Sequence, residues 1–320
     1  MSTVTVVVPV YWNEATLPAL LERLRAVADE LQPDELEMLF VDDGSGDDSH
    51  AILRAEAERD ERVQVVRLSR NFGSNAAILA GLTFARGDAI VVIAADLQDP
   101  PELIPRLVRE WQDGGEVVVA ARRSRDDPFV SRVLASVFNR LFRRLVFREF
   151  PAGGFDFLLV SRRVARVLAE MAERNSYIFG QAMWVGFDRR VVEYDRTARA
   201  GGRSRWTLGK KAKYFVDAFT AFSYVPIRAA SLLGFVLALA GFVYAAVLIV
   251  LRATGAISNA PGFAALAVLI LVAAGTQLIV IGIIGEYLWR VLEESRRRPA
   301  FIVDSAVNVD VPDERVARDA

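Results

Sequence analysis

Three oxygen-bearing side chains in the first third of the chain could bind a metal ion. Asp96, Gln98 and Asp99 follow a short apolar run, and two prolines, which stop a strand and can begin a helix, come directly after them. Carboxylate and amide oxygens suit Mg²⁺ or Mn²⁺, and a diphosphate could share such a cation. The sequence therefore predicts a divalent-cation site here, with helix capping by Asp99 as the structural alternative.

Five β-branched runs, with helix-length segments between them, predict a parallel sheet in an α/β domain. The runs are Val4–Val10, Glu37–Val41, Val63–Leu68, Ala89–Ala94 and Glu116–Ala120. Strands of this kind are apolar throughout because helices cover both faces of a parallel sheet. Ligands in that architecture bind at the carboxyl ends of the strands. The predicted cation site falls at such an end, as does a second turn motif, Asp42-Asp43-Gly44-Ser45, which alone indicates only a tight turn.

Two uncharged apolar runs, Ala229–Leu251 and Phe263–Ile284, predict a transmembrane hairpin. At about 1.5 Å per residue the first run reaches about 34 Å, enough to cross a hydrocarbon core about 30 Å thick. A hydrophobic hairpin inside a globular domain is the alternative. Lys210, Lys211, Lys213, Arg228, Arg290 and Arg296–Arg298 flank the two runs, whereas the connecting loop carries only Arg252. This charge asymmetry predicts a plasma (inner) membrane protein whose catalytic domain and both termini are cytoplasmic.

The predicted organisation is a catalytic domain over residues 1–206, an interfacial amphipathic helix over 207–226, the hairpin over 227–290 and a cytoplasmic tail over 291–320. The interfacial helix is inferred from aromatic and lysine side chains on opposite sides of residues 207–224. Residues 122–148 carry eight arginines at a helical apolar spacing, which indicates either a cationic binding face or a plain solvated helix. The polar tail after Ile302 is expected to be frayed.

Composition excludes several classes of function. The 39 Lys and Arg residues nearly balance 40 Asp and Glu residues, so no overall field recruits nucleic acid. The chain has no Cys, which excludes a disulfide framework, a thiolate nucleophile and a zinc-thiolate site. No charged and apolar leader precedes the first strand, so no cleaved signal peptide is expected.

An ordered set of motifs gives the sequence a family resemblance. The motifs are Val8–Tyr11, Val41–Ser45, Arg70–Gly73, Ala95–Glu102, Gly202–Trp206, and Gly285–Tyr287 with Arg298–Pro299. Together with the paired spans, this set resembles the polyprenyl-phosphate glycosyltransferases of glycosyltransferase family 2, from Val4 to about Val303. The resemblance implies a GT-A fold, which is Rossmann-like with a mostly parallel sheet. It also implies inverting transfer of a sugar from a UDP- or GDP-linked donor to a polyprenyl phosphate. The hairpin is more similar to that of the bacterial undecaprenyl-phosphate sugar transferases, which implies undecaprenyl phosphate as the acceptor.

The resemblance also implies roles for individual residues. Asp96 and Gln98 match the family's Mg²⁺ or Mn²⁺ ligands, and Asp156 matches a carboxylate close to the reacting sugar. Asp42 and Asp43 match residues that hold the nucleoside. The other expected nucleotide contacts are Pro9, Tyr11, Glu14, Ser45 and Asn71. Residues expected near the phosphates are Arg122, Arg125, Arg199, Ser204 and Arg205.

Three positions depart from the family pattern. Ala94 stands where many relatives have Asp, Trp12 separates Tyr11 from Asn13-Glu14, and Leu158 stands where Arg is common. Ala94 favours one alternative function, that of a catalytically silent nucleotide-sugar-binding subunit. A processive polysaccharide synthase is a second alternative, although Gln181–Trp184 lacks the Arg of the synthase motif. A dinucleotide oxidoreductase is disfavoured because Gly44-Ser45-Gly46 does not continue as Gly-x-Gly-x-x-Gly.

Two further expectations complete the sequence interpretation. His50, the only histidine, is expected to be a surface helix residue. The sequence does not identify the sugar or the nucleotide base. It also does not decide whether the protein forms a homo-oligomer.

Overall fold

The computed structural model describes residues 1–123, 140, 143–144, 146–147, 149–151, 154–171, 177–195, 225–255, 262–296 and 298–311. The predicted helices over 122–148 and 207–226 therefore lie almost wholly outside the described residues. Arg125, Arg199, Ser204 and Arg205 lie outside them as well.

The described head contains one eight-stranded sheet. Its strands are β1 (Thr3–Val10), β2 (Glu35–Asp42), β3 (Val63–Leu68), β4 (Ala89–Val92), β5 (Val117–Arg122), β6 (Phe157–Ser161), β7 (Arg189–Tyr194) and β8 (Val303–Val307). They lie side by side in the order β7-β5-β6-β4-β1-β2-β3-β8. The neighbouring pairs among β1 to β4 are parallel, as are β5 and β7, whereas β6 and β8 are antiparallel to their neighbours. The predicted α/β class and the mostly parallel, Rossmann-like sheet of GT-A are confirmed.

Six described α-helices and a short 3₁₀ helix, Pro101–Leu103, belong to the head. The α-helices are α1 (Leu17–Glu30), α2 (Ser49–Ala57), α3 (Ser74–Phe84), α4 (Ile104–Gln112), α5 (Arg162–Met171) and α6 (Ile178–Trp184). The first four connect β1 to β5 in sequence, as predicted. Val6 and Val7 of β1 point to opposite faces of the sheet, yet both are fully buried. The strands are apolar on both faces because helices cover both, and this core fixes the strand ends that carry the site.

Residues 303–307 of the tail form β8, so the expectation of a frayed tail is wrong for its described part, which ends at residue 311. β8 pairs with β3, and the backbone N–H of Ser69 donates to the carbonyl of Ile302 at 3.0 Å. Val303 is fully buried, and the Phe301 ring packs edge-to-face on Phe84 with centroids 5.9 Å apart. These apolar side chains and the open hydrogen-bonding groups of β3 outweigh the polar composition of the tail.

A separate compact unit spans Phe219–Arg297. Its described helices are α7 (Val225–Ala253) and α8 (Phe263–Ser295). Within them, Ile227–Ala253 has a mean hydropathy of 2.6 and Val272–Ser295 one of 1.5, and both are long and apolar enough to cross a membrane. Near the end of α8 the Arg290 guanidinium pairs with Glu286 one turn earlier, at 2.8 Å. Two candidate spans are thus present, while the domain boundaries and the membrane location stay predictions.

Candidate functional site

The turns that follow β1, β2 and β4 lie together at one end of the sheet. These strands are parallel neighbours, so their carboxyl ends meet there. The Trp12 N–H, after β1, donates to Oγ of Ser45, after β2, at 3.0 Å. The Thr16 hydroxyl, at the start of α1, donates to the carbonyl of Ala95, after β4, at 2.7 Å. The structure therefore brings the two predicted motifs to one region, called here the carboxyl end of the sheet.

Backbone strain is concentrated in these turns. Trp12 and Leu97 both have φ of 59°, in the left-handed region that large side chains avoid. Such a conformation costs on the order of 1–3 kcal/mol and persists only where the surrounding structure imposes it. Gly44 has φ of 68°, and a Cβ atom there would come within 2.7 Å of the carbonyl carbon of Arg70. The glycine of the Asp-Asp-Gly-Ser motif thus lets this turn pack directly on the next one.

Asp42 and Asp43 are buried beneath these turns. Asp42 is 0 % exposed and accepts a hydrogen bond from the Ser45 N–H at 3.0 Å. Asp43 is 3 % exposed and accepts hydrogen bonds from the N–H groups of Phe72 at 2.7 Å and Gly73 at 2.9 Å. Burial raises the pKa of Asp43 to about 6 against the opposing effect of those two hydrogen bonds. Both carboxylates shape the turns, and their contact with a nucleoside stays a prediction.

His50 differs from the sequence expectation because it lies beside Asp42 in the partly buried layer under the turn. Its Nδ1 atom is 3.7 Å from Oδ2 of Asp42, and Nε of Arg67 is 3.6 Å from the same oxygen. The His50 side chain is only 19 % exposed. Burial and the charge of Arg67 lower the pKa of His50. The predicted helical position is confirmed, since His50 lies in α2, but a surface position is wrong for this partly buried residue.

The turn after β4 presents the predicted metal ligands. Asp96 and Gln98 are partly exposed, and Oδ1 of Asp96 accepts a hydrogen bond from the Gln98 N–H at 3.2 Å. Asp99 is fully buried and does not cap the following helical turn, whose N-cap is Pro100. The capping alternative is therefore wrong. Among the described residues no group of three or more His, Cys, Asp or Glu side chains could hold a metal. Mg²⁺ is often bound through one or two protein ligands together with a substrate diphosphate, and Asp96 and Gln98 fit a cation of this kind.

A buried hydrogen-bond chain connects Asp99 to Asp156. The strand register pairs Arg122, the last residue of β5, with Tyr194, the last residue of β7. The Tyr194 hydroxyl donates to Oδ1 of Asp99 at 2.5 Å, and Nε of Arg122 donates to the Tyr194 oxygen at 3.5 Å. Nη2 of Arg122 donates to the carboxylate of Asp156, which directly precedes β6 and has 46 % of its side chain exposed. We refer to Asp99, Tyr194, Arg122 and Asp156 as the buried chain.

The electrostatics of the buried chain keep Arg122 charged and Tyr194 neutral. Burial lowers the pKa of Arg122, but Asp156 and Asp99 outweigh burial, and the net pKa is raised. Burial raises the pKa of Tyr194, and the charge of Asp99 raises it further. Sequence reasoning found Arg122 and Asp156 through the family resemblance but missed Tyr194. A single tyrosine at the end of a polar strand carries no local signal.

The remaining described residues of the predicted site border the same turns. Pro9 lies in β1, and Tyr11 follows that strand with its ring 6.4 Å from that of Trp12. Oε2 of Glu14 accepts a hydrogen bond from the N–H of Asp48, just before α2, at 3.0 Å. Asn71 is exposed in the turn after β3.

Comparison with known proteins identifies the family. Residues 5–168 match the model described as glycosyl transferase family 2. An uncharacterized glycosyltransferase of Bacillus subtilis (strain 168) is 38 % identical over 316 residues, covering 98 % of this chain and 97 % of that protein. A bactoprenol glucosyl transferase of Shigella phage SfX is 36 % identical over 304 residues, covering 94 % and 99 %.

Among solved structures, glucosyl-3-phosphoglycerate synthase from Mycobacterium tuberculosis is 20 % identical with a TM-score of 0.49, covering 68 % of this chain and 79 % of that one. The full-length relatives and the family model decide the classification. The chain belongs to glycosyltransferase family 2 and is a glycosyltransferase, which confirms the predicted family and enzyme class.

Proposed function

We propose that the protein transfers a sugar from a nucleotide sugar to a polyprenyl phosphate, with undecaprenyl phosphate as the acceptor, at the cytoplasmic face of the plasma membrane. The observation that carries the proposal is the extent of the likeness to bactoprenol glucosyl transferases. It covers 94 % of the chain and so includes most of the region beyond residue 168 that contains α7 and α8. An enzyme that joins a water-soluble donor to a lipid acceptor needs both a soluble catalytic domain and a segment that reaches the membrane.

The donor is expected to bind at the carboxyl end of the sheet. Asp96 and Gln98 are of the right chemistry and exposure to hold Mg²⁺ or Mn²⁺. When bound, the cation would neutralise the charge that the nucleoside diphosphate develops as it leaves. The turns over Asp42 and Asp43 would border the nucleoside of a UDP- or GDP-linked sugar.

The acceptor phosphate is expected to approach Arg122 and Asp156. A monophosphate ester has a second pKa near 6 and is largely dianionic at neutral pH, so it needs no strong base. One phosphate oxygen attacks the anomeric carbon, the bond from that carbon to the diphosphate oxygen breaks, and the electron pair leaves with the nucleoside diphosphate. In-line attack inverts the anomeric configuration. The Asp156 carboxylate would stabilise the cationic character of the sugar, and Arg122 would offset phosphate repulsion.

The test uses the purified full-length protein in lipid nanodiscs. Radiolabelled UDP- and GDP-sugars are supplied one at a time with undecaprenyl phosphate and Mg²⁺, Mn²⁺ or EDTA. We expect one donor to give a lipid-linked product in a metal-dependent manner, and Asp96→Asn to abolish that turnover. Asp29→Asn, which neutralises an exposed carboxylate on α1, is the matched control and should retain activity.

Three outcomes would contradict the proposal. Absence of lipid-linked product with every donor would favour the silent-subunit alternative that Ala94 suggests. A polymeric product would favour the processive synthase. Full activity in EDTA, or unchanged activity of Asp96→Asn, would remove Asp96 from a metal site.

A further inference from the structure

Tyr194 occupies a position that the reaction proposed above does not yet explain. Its side chain is 6 % exposed at the end of β7, in the same register as Arg122. Its hydroxyl contacts two charged groups of opposite sign, the Asp99 carboxylate and the Arg122 guanidinium. A buried phenol that links two ions is costly unless both hydrogen bonds are made.

The hydrogen bonds of Tyr194 have a fixed direction. Arg122 can only donate, so the phenol oxygen must accept a hydrogen bond from its Nε–H and donate its own O–H to Asp99. The phenol therefore separates Arg122 from Asp99 and orients the guanidinium. The remaining donor edge of Arg122 faces Asp156. Without the hydroxyl, attraction to Asp99 would compete directly with attraction to Asp156.

The two ends of the buried chain belong to different parts of the proposed reaction. Asp99 is in the same turn as Asp96 and Gln98, the predicted ligands of the cation that binds the donor diphosphate. Asp156 is the partly exposed carboxylate expected near the reacting sugar. The β4 turn and the residue before β6 are thus connected through the ends of β5 and β7.

We propose that Tyr194 is a positioning residue whose hydroxyl holds Arg122 between Asp99 and Asp156, and so fixes Asp156 relative to the donor diphosphate. The inference rests on the proposed function, because Asp156 and the Asp96 turn act in that reaction. It assigns no contact between Tyr194 and substrate. Its effect is exerted through Arg122.

Tyr194→Phe tests the inference because it removes only the hydroxyl. The ring packs edge-to-face on Phe157 with centroids 6.3 Å apart, and phenylalanine retains that contact. We expect kcat to fall on the order of 10- to 100-fold, as for a small misplacement of a reacting group. The KM for the nucleotide sugar should change less than about threefold, since no donor contact is lost. Tyr244→Phe makes the same change in α7, outside the head, and should keep the wild-type kcat.

A double-mutant cycle separates positioning from general stability. If Tyr194 acts through Arg122, Tyr194→Phe in an Arg122→Lys background should cost less than about twofold in kcat, because the oriented guanidinium is already lost. Should Tyr194→Phe not fold, as judged by thermal unfolding, Asp99→Ala gives the same readout. It removes the acceptor that fixes the direction of the Tyr194 hydroxyl, so that hydroxyl no longer holds Arg122 and kcat should fall with donor KM kept.

Two failures are distinguishable. If the wild-type protein makes no lipid-linked product, the proposed function is wrong. The positioning role is wrong if the wild-type protein is active and the folded Tyr194→Phe protein keeps the wild-type kcat. It is also wrong if the effects of Tyr194→Phe and Arg122→Lys on kcat simply multiply in the double variant.

Discussion

Replacing Gly44 by alanine tests whether the Asp-Asp-Gly-Ser turn packs as tightly as the structure shows. The new Cβ would lie 2.7 Å from the carbonyl carbon of Arg70 and 3.0 Å from the Asn71 nitrogen, and both are backbone atoms that cannot rotate away. Holding alanine in the left-handed region costs about 1–2 kcal/mol, and forcing an extra methyl into a packed site adds about 1–3 kcal/mol. Reduced freedom of the unfolded chain returns about 0.4–1 kcal/mol. We expect Gly44→Ala to destabilise the head by about 2–4 kcal/mol.

Gly186→Ala is the matched control. Gly186 has φ of 74°, close to the 68° of Gly44, but a Cβ atom there meets nothing within 4 Å. Only the strain of the left-handed backbone remains, so we expect Gly186→Ala to lower the free energy of unfolding by about 1 kcal/mol. Urea unfolding of the purified variants, followed by the fluorescence of the head, measures both values. Because the shifted turn carries Ser45, which holds Trp12, Gly44→Ala should also raise the KM for the donor.

The comparison of the two glycines can refute the packing argument. Equal destabilisation by both substitutions would mean that strain alone acts at Gly44 and that the turns after β2 and β3 are not in close contact. If Gly44→Ala destabilises the protein but leaves the donor KM unchanged, the turn does not contribute to binding of the nucleotide sugar.

The remaining predictions concern pH and topology. Because burial raises the pKa of Asp43 from 3.8 to about 6, its stabilising contribution is full below pH 3.8 and is lost as pH rises through 6, by about 3 kcal/mol. The unfolding free energy of the wild type minus that of Asp43→Asn should fall by about this amount between pH 4 and 7, and a flat difference would contradict the raised pKa. Because the chain lacks Cys, single cysteines report topology: Thr254→Cys after α7 should react with an impermeant maleimide on intact cells, and Asp310→Cys only after permeabilisation. The reverse pattern would invert the predicted orientation.

The first five strands were predictable because their signal is local. β1 was predicted as Val4–Val10 and found as Thr3–Val10, since a strand buried on both faces is a continuous apolar run. β7 gives no such run because it is an edge strand with Arg189, Arg190 and Glu193. β8 is a five-residue strand interrupted by Asp304 and Ser305, and its partner β3 lies more than 200 residues earlier. Its pairing depends on an open sheet edge that no local pattern reveals.

The candidate site also has a part that the sequence predicts locally and a part that it does not. The turn motifs were visible because Asp, Gly and Ser are the residues that tight turns at strand ends favour, and the structure brings these turns together through parallel pairing. The contacts within the site were not visible. The links from Asp42 to Arg67 and from Asp99 to Tyr194 join residues that only the sheet register makes neighbours.

The buried chain also bears on the missing carboxylate at Ala94. The nearest acidic candidate to replace it is Asp99, five residues later in the same turn region. Asp99 is fully buried and accepts a hydrogen bond from the Tyr194 hydroxyl, so turning it toward a cation would break the contact that separates it from Arg122. We therefore expect the partly exposed Asp96 and Gln98 to be the ligands from this turn. Oxygens of the donor diphosphate would complete the coordination, so we expect the cation and the nucleotide sugar to bind together.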